Sequence, residues 1–304
     1  MNEFERLFAL SGLSLDRLRT FLLVAEAGNL ARAAQSDPNR QSQYSRQVKE
    51  LEGFFGVALT RKIGRRIEIT AEGLALAAMI RRHFTDLDHF RESVTGRPVS
   101  FRLGAPASVL EWWVIPNLTR WRQLLGGAVI EMEQLRSAEV SRQIGDGRLD
   151  LGIVRDDAVP KGTRRWNLGR IGYALFAPKT AWKKGKDLGG VITSHPMGGL
   201  IPGGQFHQRT VEWMSQMGWQ PEVVARVGSF LQLARLVRDG GLAAILPQTA
   251  AVDFNESLFP CKPLPWVAER PMVLLANVRA TERMGLSSKD LSALAKVLAR
   301  QGDP

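Results

Sequence analysis

Residues 41–55, QSQYSRQVKELEGFF, restrict what this chain can fold into more than any other stretch. Tyr44, Val48, Leu51 and Phe55 recur at i, i+4, i+7 and i+11, which sets them on one face of a helix of period 3.6. Such a stripe needs a core to pack against. Ser42, Arg46 and Lys49 fall on the opposite face beside Gln41 and Ser45, a surface of hydrogen-bond donors and positive charge that suits phosphates and base edges. Taken alone, that face is equally well the solvated side of an amphipathic helix.

The flanking segments decide between the two. Upstream, Leu15, Leu18, Leu22 and Ala25 form a second apolar stripe, and Gly28 stops that helix where a left-handed cap needs no Cβ. A short helix over Leu30 to Gln35 follows. Ser36-Asp37-Pro38-Asn39-Arg40 is dense in turn-forming residues and reads as the turn before the exposed helix. Three helices with a tight turn before the last make a helix-turn-helix. Downstream, Gly56 closes the exposed helix, and short strands at Val57 to Leu59 and Ile67 to Ile69 flank Arg61-Lys62-Ile63-Gly64-Arg65-Arg66, with Gly64 at the hairpin tip. A hairpin carrying four cations beside a basic helix is a wing that can lie along a phosphate backbone.

From Thr70, which caps it, a long helix is expected to run to about Ser93, with Leu76, Ile80, Phe84, Leu87 and Val94 along one seam. That seam packs either on its own domain or on a second copy of the helix. His83 and His89, six apart, lack metal-ligand spacing. Thr95-Gly96-Arg97-Pro98 reads as a hinge. Beyond it, strands and helices alternate: strands at Val99 to Ala105, Ala128 to Met132 and Leu149 to Val154, with helices at Ser108 to Leu125 and Ala138 to Asp146. The order repeats after Tyr173 to Pro178, with strands at Gly190 to Thr193, Glu222 to Val227 and Leu242 to Leu246 and helices at Phe206 to Met217 and Phe230 to Arg238. This alternation predicts mainly parallel sheets in two α/β halves, with a ligand crevice between them.

Leu18, Phe21, Val24-Ala25-Glu26, Gly28, Arg32-Ala33-Ala34, Gln41, Ser45-Arg46-Gln47-Val48, Leu51-Glu52, Gly56, Leu59, Ile69-Thr70 and Gly73 stand in one register. In these residues the N-terminal part resembles the LysR-type transcriptional regulators, a bacterial family of winged helix-turn-helix proteins. The remainder resembles their effector-binding domain in Gly147-Arg148-Leu149-Asp150-Leu151-Gly152-Ile153 and in Leu236 through Pro247. The chain departs from the family at Asp37, Asn39, Arg40 and Ser42 around the turn, and at Thr60 and Lys62 in the wing. The resemblance implies an α/β protein overall: an all-α winged helix-turn-helix, a long linker helix, and a two-lobed α/β domain like the type 2 periplasmic binding proteins. The implied boundaries are an extension over 1–13, the DNA-binding domain over 14–70, the linker and hinge over 71–97, and the effector domain over 98–304. Lobe I would take about 98–176 and 265–304, and lobe II about 177–264. The extension is either a disordered arm or a helical one.

The resemblance implies DNA contacts from Asn29, Arg32, Gln41, Ser42, Ser45, Arg46, Lys49, Arg61, Lys62, Arg65 and Arg66. It implies effector contacts from Pro106, Ala107, Ser108, Arg155, Gly203, Gly204, Gln205, Ser229 and Phe230. Ser108 and Ser229 are either ligand contacts or plain helix caps. Arg155 either clamps an anion or pairs with Asp156 or Asp157. One of Trp112 and Trp113 is expected to line the crevice. The implied partners are double-stranded DNA, a small-molecule effector, further copies in a homodimer or homotetramer, and RNA polymerase, with no cofactor.

The net charge of +11 and a pI near 10.4 agree with a nucleic-acid or anionic partner, and the excess of Lys and Arg continues past Pro98. An acidic effector, or a basic surface near DNA, accounts for that excess. The single Cys261 excludes an intramolecular disulfide or a multi-cysteine zinc site. No signal-peptide pattern or spanning apolar run is evident, so a cytoplasmic location is expected. No catalytic constellation is found: the histidines are scattered at 83, 89, 195 and 207, and no glycine pattern follows a strand as in a phosphate-binding loop. The expected function is a sequence-specific, effector-modulated transcriptional regulator. The alternative is a small-molecule binding protein whose degenerate helix-turn-helix serves as an interaction domain.

Overall fold

A computed structural model describes residues 5–63, 66–95, 100–160, 163–264 and 269–299. The chain divides into two compact units, residues 1–97 with 145–148, and residues 98–144 with 149–304.

In the first unit a single helical turn, α1 (Glu5–Phe8), precedes α2 (Leu15–Ala27), α3 (Leu30–Ala33) and α4 (Pro38–Phe55). Each boundary has a local cause. Ser14 caps α2, accepting from the Arg17 N–H, and Gly28 ends it at φ 63. Asp37 caps α4, accepting from the N–H groups of Asn39 and Arg40, and Pro38 is the first helical residue, where its missing N–H costs nothing. The turn expected over 36–40 is therefore shorter: Gln35 and Ser36 turn the chain at φ 54 and 63, and Pro38 to Arg40 already belong to the helix. The polar Asp37 that departs from the family pattern is what starts the helix.

Strands β1 (Thr60–Ile63) and β2 (Arg66–Ile69) pair antiparallel, Thr60 opposite Ile69. The first strand thus starts three residues later than expected, and the hairpin tip at Gly64 and Arg65 lies outside the described residues. Thr60 has a structural role: its hydroxyl and N–H, with the Leu59 N–H, all donate to Glu52 Oε1 at 2.9 to 3.0 Å, tying the wing to the end of α4. Thr70 then caps α5 (Ala71–Val94) by accepting from Gly73 N–H at 3.0 Å.

Phe21, Val24, Val48, Leu51, Leu59, Leu76 and Ile80 form the core of this unit. Phe21 and Val24, rather than the expected Leu15, carry the buried face of α2; Leu15 is exposed. The α5 seam splits as well. Leu76 and Ile80 are buried in this domain, whereas Leu87 and Val94 are exposed. The hinge at 96–98 lies outside the described residues.

The second unit holds two lobes. The lobe I sheet has the order β4-β3-β5-β12-β6, from β3 (Ser100–Ala105), β4 (Val129–Gln134), β5 (Leu151–Arg155), β6 (Arg165–Ile171) and β12 (Arg270–Ala276). In lobe II, β7 (Tyr173–Phe176) pairs with β10 (Ala244–Pro247) and β11 (Cys261–Pro263), while β8 (Met197–Leu200) pairs with β9 (Val223–Val227). The sheets are mixed rather than mainly parallel, since β12 runs antiparallel to β5 and β6, and β7 antiparallel to both its neighbours.

The helices are α6 (Ala107–Val109), α7 (Leu118–Leu124), α8 (Ser137–Gly145), α9 (Leu188–Ser194), α10 (Gln205–Gln216), α11 (Phe230–Arg238), α12 (Val278–Arg283) and α13 (Ser288–Ala299). Between α6 and α7, residues 110–117 change helical pitch, reaching a tight turn at Pro116. The strand expected at Gly190 to Thr193 is instead the body of α9, because Asp187 accepts from the Gly190 N–H and nucleates a helix.

Candidate nucleic-acid interface and ligand cleft

The exposed face of α4 opens onto a groove of about 1000 Å³ in the first unit. Gln41, Ser42, Ser45, Arg46 and Lys49 line one wall, Asn29 stands at one end, and Lys62 reaches in from the wing. Seven of the eleven residues expected to touch DNA are thus brought to one groove. Asn29 also caps α3, its carbonyl oxygen accepting from the Ala31 N–H at 2.8 Å. Arg32 is exposed outside the groove lining and donates to Ala27 O at 3.3 Å. Arg61 is on the wing and pairs with Glu68 at 2.5 Å. Arg65 and the Arg66 side chain lie outside the described residues.

Glu50, not among the expected contact residues, is the one carboxylate among the described residues lining this groove. It accepts from Arg17 and, at 3.0 Å, from Arg46. The Arg17 guanidinium first, and Arg46 second, hold its carboxyl below the usual range. Glu50 therefore fixes Arg46 at the groove wall and offsets part of its charge.

In the second unit a cavity of about 370 Å³ opens between the lobes. Pro106, Ser108, Arg155 and Phe230 of the expected ligand residues line it; Ala107, Gly203, Gly204, Gln205 and Ser229 do not. The two serines are placed differently: Ser229 accepts from the Gln232 N–H and caps α11, whereas the α6 cap is Pro106 and Ser108 is among the residues lining the cavity. Both tryptophans are buried away from it: Trp112 Nε1 donates to Asp253 at 2.8 Å and Trp113 Nε1 to Leu298 O at 3.1 Å.

Arg136, Tyr173 and Arg270 also line the cavity and were not expected. Arg270 is 7% exposed, and burial followed by the repulsion of Arg209 lowers its pKa. Its side chain contacts the Tyr173 phenol and, at 3.4 Å, Gln205 Oε1, but no carboxylate pairs with it among the described residues. Burial pushes the Tyr173 phenol up against the opposing pull of Arg270. Arg155 pairs with Asp157 at 3.1 Å and donates to Gln205 Oε1 at 2.7 Å, so Gln205 of lobe II spans two lobe I arginines. Asp156 pairs instead with Arg165. Tyr173, Phe206 and Phe230 stack in a trio with centroid distances of 4.7 to 6.1 Å. The signal for Arg270 was in the sequence: an arginine opening the apolar run Met272 to Ala276 must enter the interior with it.

Two family models cover the chain. The bacterial regulatory helix-turn-helix protein model of the lysR family matches residues 15–74, and the LysR substrate binding domain model matches residues 96–286, more than half of the length. The chain belongs to the LysR family of transcriptional regulators. It is a DNA-binding regulator with an effector-binding domain, and a degenerate helix-turn-helix is not favoured. The chain is 29% identical over 258 residues to a probable nitrogen assimilation transcriptional activator of Synechococcus elongatus, covering 79% of this chain and 80% of that one. Full-length CbnR complexed with its target DNA matches at a TM-score of 0.57 and 19% identity, over 96% and 100% of the two chains. Full-length LysG from Corynebacterium glutamicum with bound effector Arg matches at 0.60 and 19%, over 93% and 98%. These two share the fold of this chain. No helix among the described residues is long and apolar enough to cross a membrane.

Proposed function

We propose that this regulator reads its operator through Gln41, Ser42, Ser45, Arg46 and Lys49 of α4, with Lys62 and the remaining wing arginines holding the phosphates, and that its effector is a small organic anion. In this reading the effector binds between the lobes without turnover, and the regulator works in the cytoplasm as a homo-oligomer. The observation that carries the effector class is Arg270, a buried guanidinium facing the cavity with no carboxylate partner among the described residues. A buried cation without a counter-ion is costly, and an anion entering beside Arg136, Arg155 and Arg270 would supply one. The aromatic trio gives the ligand an apolar surface to lie on, and a cavity of about 370 Å³ suits a compact molecule.

Gln205 supplies the mechanism. Its side chain accepts from both Arg155 and Arg270, and an anion taking those guanidinium groups would free Gln205 and the start of α10. A ligand that prefers one arrangement of the lobes shifts the regulator toward it. The exposed Leu87 and Val94 of α5 offer an apolar edge to a second copy. The DNA assignment is tested by footprinting on the intergenic DNA upstream of its own gene. Arg46→Ala is expected to weaken specific binding roughly 10- to 100-fold, with oligomer mass unchanged. Unaltered operator affinity would remove α4 from the role given to it.

A further inference from the structure

Lobe II contains a second cavity, as large as the cleft at about 370 Å³, that the regulator reading leaves unused. Its floor is β8 and the first residues of β9, its roof is the inward face of α10, and Trp219 closes one end. Leu200, Val211, Met214 and Val223 make the walls apolar. Among the described residues, His207 and Arg226 are the ionisable groups that line it, and no Asp or Glu does.

Strand β8 reads Met-Gly-Gly-Leu, and its two glycines differ in what they do. A Cβ on Gly198 would come within 2.9 Å of Leu233, so close packing of α11 accounts for that residue. Gly199 has no such reason. Its φ lies outside the left-handed region, and a Cβ there would meet only Val223 Cγ1 at 3.4 Å and Arg226 Nη1 at 3.6 Å, ordinary contacts. β8 shifts register against β9 between Met197 and Gly198, and a glycine inside a strand marks such an irregularity or leaves room for close approach by another molecule; at Gly199 that room opens into the cavity. The space left by Gly199 is the cavity itself, directly beside the Arg226 guanidinium.

We infer that this cavity is a second small-molecule site, for an aromatic or medium-chain carboxylate whose apolar body lies over Gly199 against α10 and whose carboxylate meets Arg226. It would communicate with the cleft. Phe206 lines both cavities, and α10 carries Gln205, which accepts from Arg155 of the cleft, as well as Val211 and Met214 of the second cavity. Occupancy that shifts α10 changes affinity at both sites reciprocally.

The methionines report each site separately: Met197 and Met214 line the lobe II cavity, and Met272 lines the cleft. The full-length protein with 13C-labelled methionine methyls is titrated with octanoate, with octanol as the uncharged control. Octanoate is expected to shift Met197 and Met214 at concentrations at least tenfold below those that move Met272, and octanol to bind several-fold more weakly. Gly199→Leu, which fills the cavity, should weaken the Met214 response at least tenfold. Val211→Asp, placing a carboxylate at an exposed edge of α10, should do the same without touching the sheet. The inference is overturned if Met272 alone responds, if both variants bind octanoate as the parent does, or if octanol matches octanoate. It is likewise overturned if Met197 and Met214 follow protein dilution instead of octanoate, which would assign the groove to a second copy of the chain. The cleft assignment is untouched by any of these outcomes, because its own reporter is Met272.

Discussion

Replacing Arg270 by Met should make the ligand-free protein more stable and deaf to anions at once. Arg270 is 7% exposed, its contact with Gln205 Oε1 is long at 3.4 Å, and the charges near it are those of Arg209 and Arg155, opposed by the more weakly felt Asp157, which itself pairs with Arg155. Burial therefore costs this cation solvation that its partners only partly return. Methionine keeps an aliphatic stem of similar reach and removes the charge. Exchanges of this kind are neutral to stabilising by about 1–4 kcal/mol, and a domain of this size gains about 2–4 °C in melting temperature per kcal/mol. With an anion bound, the sign reverses. Losing one partner of a buried charge pair costs about 2–5 kcal/mol, a roughly 30- to 5000-fold drop in affinity. Thermal melts of parent and variant, each with and without benzoate, phthalate and inorganic phosphate, separate the two effects. The parent should melt higher with at least one of these anions, by mass action. Arg270→Met should melt at or above the ligand-free parent and show no anion response. A variant that melts lower without ligand and keeps the anion-induced rise would refute the counter-ion argument.

Glu50 and Gly73 give sharper tests of the DNA-binding unit. Because Glu50 pairs with Arg46 in the groove, Glu50→Gln should release that guanidinium and tighten binding to any duplex several-fold at low salt, read by fluorescence anisotropy across a salt series. The same carboxyl has a lowered folded pKa, so its stabilisation is present above the unfolded value and is lost as pH falls through the folded one. Acid titration of the isolated melting transition should lose that component in the Gln variant. Gly73→Ala forces a Cβ into the Leu59 carbonyl and within 2.8 Å of Ile69 Cγ2, so the wing must separate from α5. A loss of about 2 kcal/mol or more in urea unfolding is expected, and a change below about 0.5 kcal/mol would show that the contact relaxes freely.

The parts of the molecule that were legible from its residues are those where local chemistry and periodicity agree. The Tyr44-Val48-Leu51-Phe55 stripe, the Gly28 and Gly56 stops and the Thr70 cap act within a few residues, and the structure places α2, α4 and α5 accordingly. α11 matches its expected span because a Ser cap precedes a strongly one-sided helix. Errors gathered where one local signal outweighed another. Val191 and Ile192 suggested a strand, but the Asp187 cap made the segment helical. Strand β6 was missed because Trp166, Leu168 and Ile171 are separated by polar residues, and its pairing with β12 joins segments about a hundred residues apart. The cleft was less legible still. Helix N-termini suggested backbone donors at Gly203, Gly204 and Ser229, whereas the cavity is lined by Arg136, Tyr173 and Arg270, which only the closure of β12 onto β5 and β6 brings together.

Two departures from the family pattern share one physical logic. Asp37 and Thr60 put polar groups where apolar packing is usual, and each is consumed close by: Asp37 by backbone N–H groups in the first turn of α4, Thr60 by the Glu52 carboxylate in its last turn. Helix α4 is thereby pinned at both ends by hydrogen bonds rather than by side-chain packing around the turn. Glu52 is the more consequential of the two anchors, because one carboxylate oxygen accepts from Leu59, Thr60 N–H and Thr60 hydroxyl together and so sets where the wing begins relative to the groove wall. Hydrogen bonds to a charged acceptor are stronger than neutral ones and directional, so they fix an angle as well as a distance. The groove can then keep Arg46, Lys49 and Lys62 on one surface while its turn stays polar and exposed.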